Sequence, residues 1–450
     1  MPTMTGGEVV ARMLKLEGVE KVFGIIDGTY LGFMAGLRKE GIQLITPRHE
    51  TSAVHMAAAY ARLTGRLGVC MASNGPGVAN ALPGVAVENG EGNRVLLITS
   101  TRRVGISYPD RGGTYQYFNQ VGVIKPMSKW SGTPQTFARI PEVMRRALRT
   151  CYMGRPGVVH VDVPENLMNT PAEAPGFWEP EQYRRSVAIE PSPAQVKQAA
   201  EMLRQARHPI IHAGSGIIHA RAFDLLKETA ELLAAPVVTS WAARGCIAET
   251  LDHAIPMIYV ELNNKVRNEA DLVLTLGSRL GETDWWGKAP YWASADKQKM
   301  IQVDIDESIL GMNKPADLPI LSDVGAFLRM LNSELKQSEV PRKSNRVSVL
   351  NRYQELKQKE RAKLDKELKD EGVPMNPAHV ATVCRSIFKD DAIVVFDGGN
   401  TAVWGNFYHE ARATNTLLST FKFGMLGAGV AQALGAAAAF PDRQVYCLIG

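Results

Sequence analysis

The sequence has few cysteines, and it lacks the signatures of several common enzyme classes. Five cysteines among 450 residues are scattered and odd in number, without metal-type spacing: Cys70, Cys151, Cys246, Cys384 and Cys447. No CxxC, HExxH, GxxxxGK[ST] or GxSxG pattern occurs, so zinc-hydrolase, P-loop and serine-hydrolase chemistry of those types is excluded. We expect reduced core thiols in a cytoplasmic protein.

The sequence also lacks a strong net charge and a long apolar run. Lys and Arg exceed Asp and Glu by only 51 to 46, and no basic block with interleaved aromatics occurs. The N-terminus shows no basic-then-apolar signal pattern. The longest low-charge stretch, 424–441, is rich in Gly and Ala and contains Gln432, which favours a buried helix over a membrane span. We therefore predict neither nucleic acid nor membrane as a partner.

Short apolar strands alternate with helical periodicity along most of the chain. This alternation is typical of parallel sheets with helices on both faces. A proline-rich stretch and a later stretch dense in Lys and Glu interrupt it, and we interpret both as connections. The sequence thus predicts an α/β fold of three doubly wound parallel-sheet domains. Their expected bounds are 1–170, 191–335 and 373–450 (the last incomplete), joined by a linker at 171–190 and a helical linker at 336–372.

Glu50 is the first candidate functional residue. An extended stretch at 44–46 passes through Pro47 and gives way to an Ala-rich helix at 53–63, which places Glu50 at a strand-to-helix corner. Such corners present functional groups in open α/β sheets. A carboxyl among apolar neighbours can share a proton, as acid–base chemistry requires. The alternative is an ordinary acidic residue favoured by the helix dipole.

Three glycine-rich turns offer further candidate sites. The stretch 73–80 follows a strand and opens a helix, as does 397–401, and both suit a negatively charged ligand. The stretch 424–429 suits a flat ligand. Each has an equally simple structural interpretation, as a tight turn, a helix cap at Asn400 or Thr401, or close helix packing.

The ordered set of motifs resembles one family. These motifs are Val22-Phe23-Gly24, Arg48-His49-Glu50, the helix at 57–62, Gly75-Pro76-Gly77, Gly154-Arg155-Pro156-Gly157 and Val161-Asp162-Val163-Pro164. In this order and spacing they resemble the thiamin-diphosphate-dependent acetolactate synthase and pyruvate oxidase family, which includes benzaldehyde lyase. The resemblance implies a pyrimidine-binding domain, a central domain and the start of a diphosphate-binding domain.

The resemblance also implies roles for individual residues. Glu50 would contact the aminopyrimidine ring and help to remove the proton from the thiazolium carbon, with Gln116 near the reacting carbon. The implied cofactor-binding residues are Gly75, Asn80, Asn400, Thr401, Gly424 and Leu426, of which Leu426 would be the apolar wedge beneath the bent cofactor. The implied substrate channel comprises Ile26, Asp27, Tyr115 and Lys129.

The implied cofactors are thiamin diphosphate and Mg²⁺. The metal motif of the family would begin at Gly450, so we expect no metal ligand within the chain and place the Mg²⁺ ligands beyond it. The stretch 256–261 does not match the family's FAD loop, which leaves FAD possible but doubtful. Because Glu50 would serve a cofactor held by a neighbouring subunit, the resemblance implies a homodimer or homotetramer with shared sites.

The expected function is decarboxylation of a 2-oxo acid with carboligation, as in acetolactate synthase. Two alternatives stay open. The first is a lyase or decarboxylase of different acyl specificity, which Ile26-Asp27 and Tyr115 favour. The second is a truncated, non-catalytic, dimer-forming relative.

Overall fold

The computed structural model describes residues 2–107, 111–338, 341, 343–370 and 372–450. Contacts within the chain define two compact units. Unit 1 comprises 1–187, 418–442 and 449, and unit 2 comprises 188–417, 443–448 and 450. Residues 339, 340, 342 and 371 of the predicted helical linker lie outside the described residues. The five expected domain and linker boundaries stay a prediction.

Strands and helices alternate, as the apolar patterning predicts. The strands are β1 (Thr3–Thr5), β2 (Lys21–Gly24), β3 (Gln43–Ile45), β4 (Gly68–Ala72), β5 (Val95–Thr101), β6 (Trp130–Gly132), β7 (Val158–Pro164), β8 (Pro171–Glu173), β9 (Pro209–Ala213), β10 (Val237–Thr239), β11 (Leu272–Leu276), β12 (Lys299–Asp304), β13 (Leu318–Leu321), β14 (Ile393–Phe396), β15 (Leu417–Ser419) and β16 (Val445–Leu448).

The α-helices cover most of the remaining regular structure. They are α1 (Gly6–Leu16), α2 (Leu31–Lys39), α3 (Glu50–Thr64), α4 (Pro76–Glu91), α5 (Gln120–Ile124), α6 (Ile140–Tyr152), α7 (Glu165–Asn169), α8 (Pro193–Gln205), α9 (Gly216–His219), α10 (Phe223–Leu233), α11 (Val260–Glu269), α12 (Val324–Leu335), α13 (Lys343–Glu367), α14 (Pro377–Ile387), α15 (Asn400–Tyr408) and α16 (Ala428–Ala439). Among the described residues, no helix has the length and apolarity needed to cross a bilayer.

Unit 1 is built on a six-stranded parallel sheet in the order β3-β2-β4-β5-β7-β6. Side chains alternate across a strand, so each strand contributes to two cores. In β4, Val69 and Met71 join the core beneath α1, α2 and α6, while Cys70 and Ala72 join the core beneath α3 and α4. Outside this sheet, β1 pairs antiparallel with β8, a strand within the predicted linker at 171–190.

Unit 2 contains a five-stranded parallel sheet in the order β10-β9-β11-β12-β13. In the same unit, β14 pairs in parallel with β16, and the amide of Val394 donates to the carbonyl of Thr416. The polar helix α13 is anchored near its start, because the buried Arg346 guanidinium donates to carbonyls that include Leu203 and Ala206. The predicted α/β class with three parallel sheets is confirmed.

Candidate functional site

Glu50 lies where the sequence places it, at the corner between β3 and α3. Residue His49 caps the helix in an extended conformation, and its Nδ1 accepts a hydrogen bond from the amide of Thr51. Glu50 is the first helical residue, where the helix dipole favours a carboxylate. Its side chain is only 9% exposed. The corner therefore holds a buried acidic group at the carboxyl end of the sheet.

Asn80 on α4 fixes one oxygen of this carboxyl group. Its Nδ2 donates to Glu50 Oε2 at 3.1 Å, and the hydroxyl of Thr51 donates to the Asn80 carbonyl. Among the described residues, Glu50 Oε1 accepts no hydrogen bond. A Cβ on Gly77 would lie 3.3 Å from Oε1 and 2.6 Å from Ser73 Oγ, so the glycine leaves room beside this oxygen. One carboxyl oxygen is thus oriented and the other stays available.

The Gly75 turn packs directly against the backbone of Gln116. Gly75 has φ +65° and ψ −110°, a conformation that L-residues rarely adopt, and a Cβ there would lie 2.6 Å from the Gln116 carbonyl oxygen. The Nδ2 of Asn74 donates to that same carbonyl at 3.0 Å. Gln116 itself has φ +52°, a strained value for a residue with a side chain. Gly75 and Gln116, two of the candidate residues, therefore pack against each other through their backbones.

A buried hydrogen-bonded network lies beneath this turn. Gln120 Oε1 accepts from the amide of Gly75 at 2.8 Å, and Gln120 Nε2 donates to Asp162 Oδ1 at 2.7 Å. Thr99 Oγ1 donates to the same Asp162 oxygen at 2.6 Å. Burial raises the pKa of Asp162 to about 7, although hydrogen bonds from Thr99, Gln120 and Thr101 oppose the shift. The sequence patterns predict no role for Gln120 or Asp162, and the available signal was a single acid between two valines in a buried strand.

The four predicted channel residues lie at different places in unit 1. Ile26 is 59% exposed, and Asp27 caps the following turn by accepting from the amide and hydroxyl of Thr29. Tyr115 is 72% exposed. Lys129 Nζ donates to the carbonyl of Thr150 near the end of α6. Their role in a channel stays a prediction.

The turn that carries Gly424 and Leu426 belongs to the same unit. Glu91, at the end of α4, accepts hydrogen bonds from the amides of Lys422 and Phe423 at 2.7 and 3.0 Å. Burial raises the pKa of Glu91 to about 7, partly offset by the Lys422 hydrogen bond. Gly424 has φ +59°, and Leu426 is 64% exposed. The hydrogen bonds to Glu91 therefore hold the start of this turn, while the apolar side chain of Leu426 is exposed to solvent.

Asn400 and Thr401 lie in unit 2, directly after β14. The turn is tight, since Gly399 has φ +67° and precedes the first residue of α15. Asn400 is exposed, and Thr401 is half-buried with its hydroxyl beside Gly450, where an added Cβ would lie 2.8 Å from it. Free amides at a helix N-terminus favour an anion such as a diphosphate. The described residues contain no group of three His, Cys, Asp or Glu side chains that could hold a metal ion.

The structure thus brings some of the predicted residues together. Glu50, Asn80, Gly75 and Gln116 form one connected cluster, and we call this cluster the Glu50 site. Gly424 and Leu426 lie on a separate turn of the same unit, whereas Asn400 and Thr401 belong to unit 2. Parallel α/β sheets with polar groups at strand-to-helix turns are typical of proteins that bind phosphate-bearing cofactors.

Comparison with known proteins identifies the class. Three family descriptions match consecutive parts of the chain: the thiamine pyrophosphate enzyme N-terminal TPP binding domain at 4–123, the central domain at 196–331 and the C-terminal TPP binding domain at 397–450. The chain belongs to the thiamine pyrophosphate (thiamin diphosphate) enzyme family.

Curated relatives match along nearly the whole chain. A probable acetolactate synthase large subunit of Methanococcus aeolicus is 27% identical, over 99% of this chain and 76% of the relative. The corresponding protein of Methanocaldococcus jannaschii is 28% identical, over 99% and 76%. The acetolactate synthase isozyme 3 large subunit of Escherichia coli is 28% identical, over 100% and 78%.

Proposed function

We propose that the protein catalyses thiamin-diphosphate-dependent decarboxylation of a 2-oxo acid followed by carboligation, with pyruvate as the first substrate to test. Two of the three matching family descriptions are TPP binding domains, and the relatives named above are acetolactate synthase large subunits. At 27–28% identity the relatives support the reaction type more strongly than the acyl specificity.

One observation carries the proposal: the buried carboxyl of Glu50 has one oriented oxygen and one available oxygen. The hydrogen bond from Asn80 fixes Oε2, while Oε1 has no partner among the described residues. A carboxyl group held in this way can hold or release a proton at Oε1 without reorienting. We infer that Glu50 would face a ring nitrogen of the cofactor and would hold or release a proton at Oε1.

The residues present fit the proposed cofactor. In unit 2, the Gly399 turn and the start of α15 suit a diphosphate. In unit 1, the exposed side chain of Leu426 suits contact with an apolar ring. When bound, thiamin diphosphate supplies the carbon nucleophile and the electron sink for cleavage beside a carbonyl. The chain's own residues would orient it and hold or move one proton at Glu50 Oε1.

We also propose that the protein works in the cytoplasm as a homodimer or homotetramer. An exposed apolar pair on α16 supports the assembly: Val430 and Leu434 are each at least half exposed and lie four residues apart, and the exposed Leu426 lies on the preceding turn. Helical residues with this spacing share one face. Light scattering of the purified protein measures the assembly directly, and a monomer at micromolar concentration would contradict this part of the proposal.

The Glu50→Gln variant tests the proposed reaction. We expect pyruvate turnover with thiamin diphosphate and Mg²⁺ to fall by about 10²- to 10⁴-fold, because general acid–base groups contribute that much. Calorimetry should show cofactor affinity within about tenfold of the wild-type value, since the substitution preserves shape. Glu181→Gln, at an exposed glutamate of the same unit, is the matched control and should keep wild-type turnover.

The same assay separates the alternatives. Turnover of another 2-oxo acid, but not pyruvate, would support a decarboxylase or lyase of different acyl specificity, which the exposed Tyr115 beside Gln116 favours. Cofactor binding without turnover of any 2-oxo acid would support a non-catalytic relative. Equal turnover by wild type and Glu50→Gln would refute the role of Glu50.

A further inference from the structure

Gln120 lies at the centre of the network beneath the Glu50 site, and three hydrogen bonds define the orientation of its side chain. The amide of Gly75 can only donate and the carbonyl of Ser100 can only accept. Gln120 Oε1 accepts from the former at 2.8 Å, and Nε2 donates to the latter at 3.0 Å. The second Nε2 hydrogen is thereby directed at Asp162, 2.7 Å away. The backbone therefore leaves only one orientation of this side-chain amide.

The remaining hydrogen bonds of the network also converge on Asp162. Thr99 Oγ1 donates to Asp162 Oδ1 and lies 2.7 Å from His160 Nε2. Ser131 Oγ lies 2.6 Å from the other ring nitrogen of His160. Burial lowers the pKa of His160 to about 3, so its ring is neutral and donates through only one nitrogen. A chain from Ser131 through His160 and Thr99 thus ends at the acid.

We propose that Gln120 is a positioning residue. Its carboxamide connects the buried acid Asp162 to the amide of Gly75 through hydrogen bonds, and we call this connection the tie. The tie holds the Gly75 turn and the Gln116 backbone in position relative to Glu50. This inference rests on the proposed function. Gly75 immediately precedes α4, which carries Asn80 and thus the hydrogen bond to Glu50 Oε2. The same turn contacts the carbonyl of Gln116.

The strain in this region explains why such a tie is needed. Gly75 and Gln116 both have positive φ, and a residue with a side chain loses stability in that conformation unless its surroundings hold it. Gln120 is 2% exposed and holds the amide of Gly75, and the Gly75 turn in turn packs against the Gln116 carbonyl. Without it, the amide of Gly75 and one oxygen of Asp162 would each lose a buried hydrogen bond.

The Gln120→Met variant tests the tie, because methionine keeps the length of the side chain and removes its hydrogen bonds. Hydrogen exchange followed by mass spectrometry should show at least about tenfold faster exchange in peptides covering 73–80 and 114–120. Turnover of pyruvate should fall by about tenfold or more, with KM within about threefold of the wild-type value, since misplaced groups lower kcat.

Gln298→Met is the matched control. Gln298 is 1% exposed and its Nε2 also donates to two carbonyls, those of Arg267 and Ala270, but it lies in unit 2. We expect this control to destabilise unit 2 without changing exchange at 73–80 or the kcat of the folded enzyme. Equal exchange in Gln120→Met and wild type would overturn the inference, as would faster exchange spread uniformly over unit 1 with kcat unchanged.

The conservative variant Gln120→Glu gives a pH-dependent readout. The introduced carboxyl can bridge Gly75 and Asp162 only while the two acids share a proton, because two adjacent carboxylates repel each other. Among the described residues, the titratable groups near Asp162 include His160 on the same strand, reached through Thr99, and Tyr30, on which the charge of Asp27 also acts. Protection at 73–80, relative to wild type at the same pH, should therefore persist at about pH 6 and be lost by about pH 8.5.

These readouts separate failure of the tie from failure of the proposed function. Hydrogen exchange reports on the tie whether or not the protein turns over a 2-oxo acid. A wild type without thiamin-diphosphate-dependent turnover would refute the proposed function alone. Protection that is independent of pH in Gln120→Glu would refute the tie alone.

Discussion

Replacing Asp162 with asparagine should change how the stability of unit 1 depends on pH. Asp162 is 4% exposed, and its hydrogen-bond donors are the neutral groups of Thr99, Thr101 and Gln120. Burial raises its pKa from an ordinary 3.8 to about 7. The folded protein thus holds this proton more tightly than the unfolded chain. The stabilisation is fully present below about pH 4 and is lost as the pH rises through about 7.

The size of the effect follows from the same values. One pH unit between the folded and unfolded pKa corresponds to about 1.4 kcal/mol. From pH 5 to pH 8, about two pH units (5 to 7) lie between the unfolded and the folded pKa of Asp162, so the wild type should lose about 3 kcal/mol relative to Asp162→Asn. Glu91 also has a raised pKa, but it is present in both proteins and its contribution cancels.

The assay is urea unfolding followed by hydrogen exchange of a peptide covering β7. This peptide belongs to unit 1, so the measurement reports on the unfolding of unit 1 and not of unit 2. We would compare wild type and Asp162→Asn at pH 5 and pH 8. Asp442→Asn, at an exposed aspartate of unit 1, is the control and should follow the wild type. Parallel pH dependence in wild type and Asp162→Asn would refute the reasoning, because it would mean that Asp162 ionises alike in the folded and unfolded chains.

Two further predictions concern the turns of the candidate site. Gly75→Ala should destabilise unit 1 by at least about 2 kcal/mol, because a Cβ would lie 2.6 Å from the Gln116 carbonyl oxygen. The control is Gly105→Ala, at a glycine that also has positive φ but has open space around it, and it should destabilise the protein less. Equal midpoints of urea unfolding for the two variants would contradict this prediction. Leu426→Ala should weaken thiamin diphosphate binding by about tenfold in calorimetry with less than about 1 kcal/mol of lost stability. Leu31→Ala, at a similarly exposed leucine, should leave binding unchanged, and a collapsed melting temperature in Leu426→Ala would show that Leu426 is core.

The Glu50 corner was predictable because its determinants are local. Pro47 disfavours helix before it, and the Ala-rich periodicity after it predicts a helix. The structure ends β3 at Ile45 and begins α3 at Glu50. The class of the fold was predictable for a similar reason, since alternating apolar strands and helices leave few arrangements other than parallel sheets.

The network beneath the site was not predictable, because it depends on contacts between distant parts of the chain. Gln120 on α5 and Asp162 on β7 are 42 residues apart. Thr99 reaches Asp162 because β5 pairs with β7, which places the two residues opposite each other. Nothing local in the sequence specifies that register. The polar composition of α13 likewise predicts a solvated helix, yet Leu350 and Tyr353 are buried in unit 2.

The measurement that tests the central claim most directly is the rate at which the proton on the thiazolium carbon of bound thiamin diphosphate exchanges with deuterium. Wild type and Glu50→Gln would be loaded with cofactor and Mg²⁺ and quenched at short times. If Glu50 moves a proton for the cofactor, the substitution should slow exchange by about a hundredfold or more while the cofactor stays bound. An unchanged exchange rate in Glu50→Gln would contradict the account.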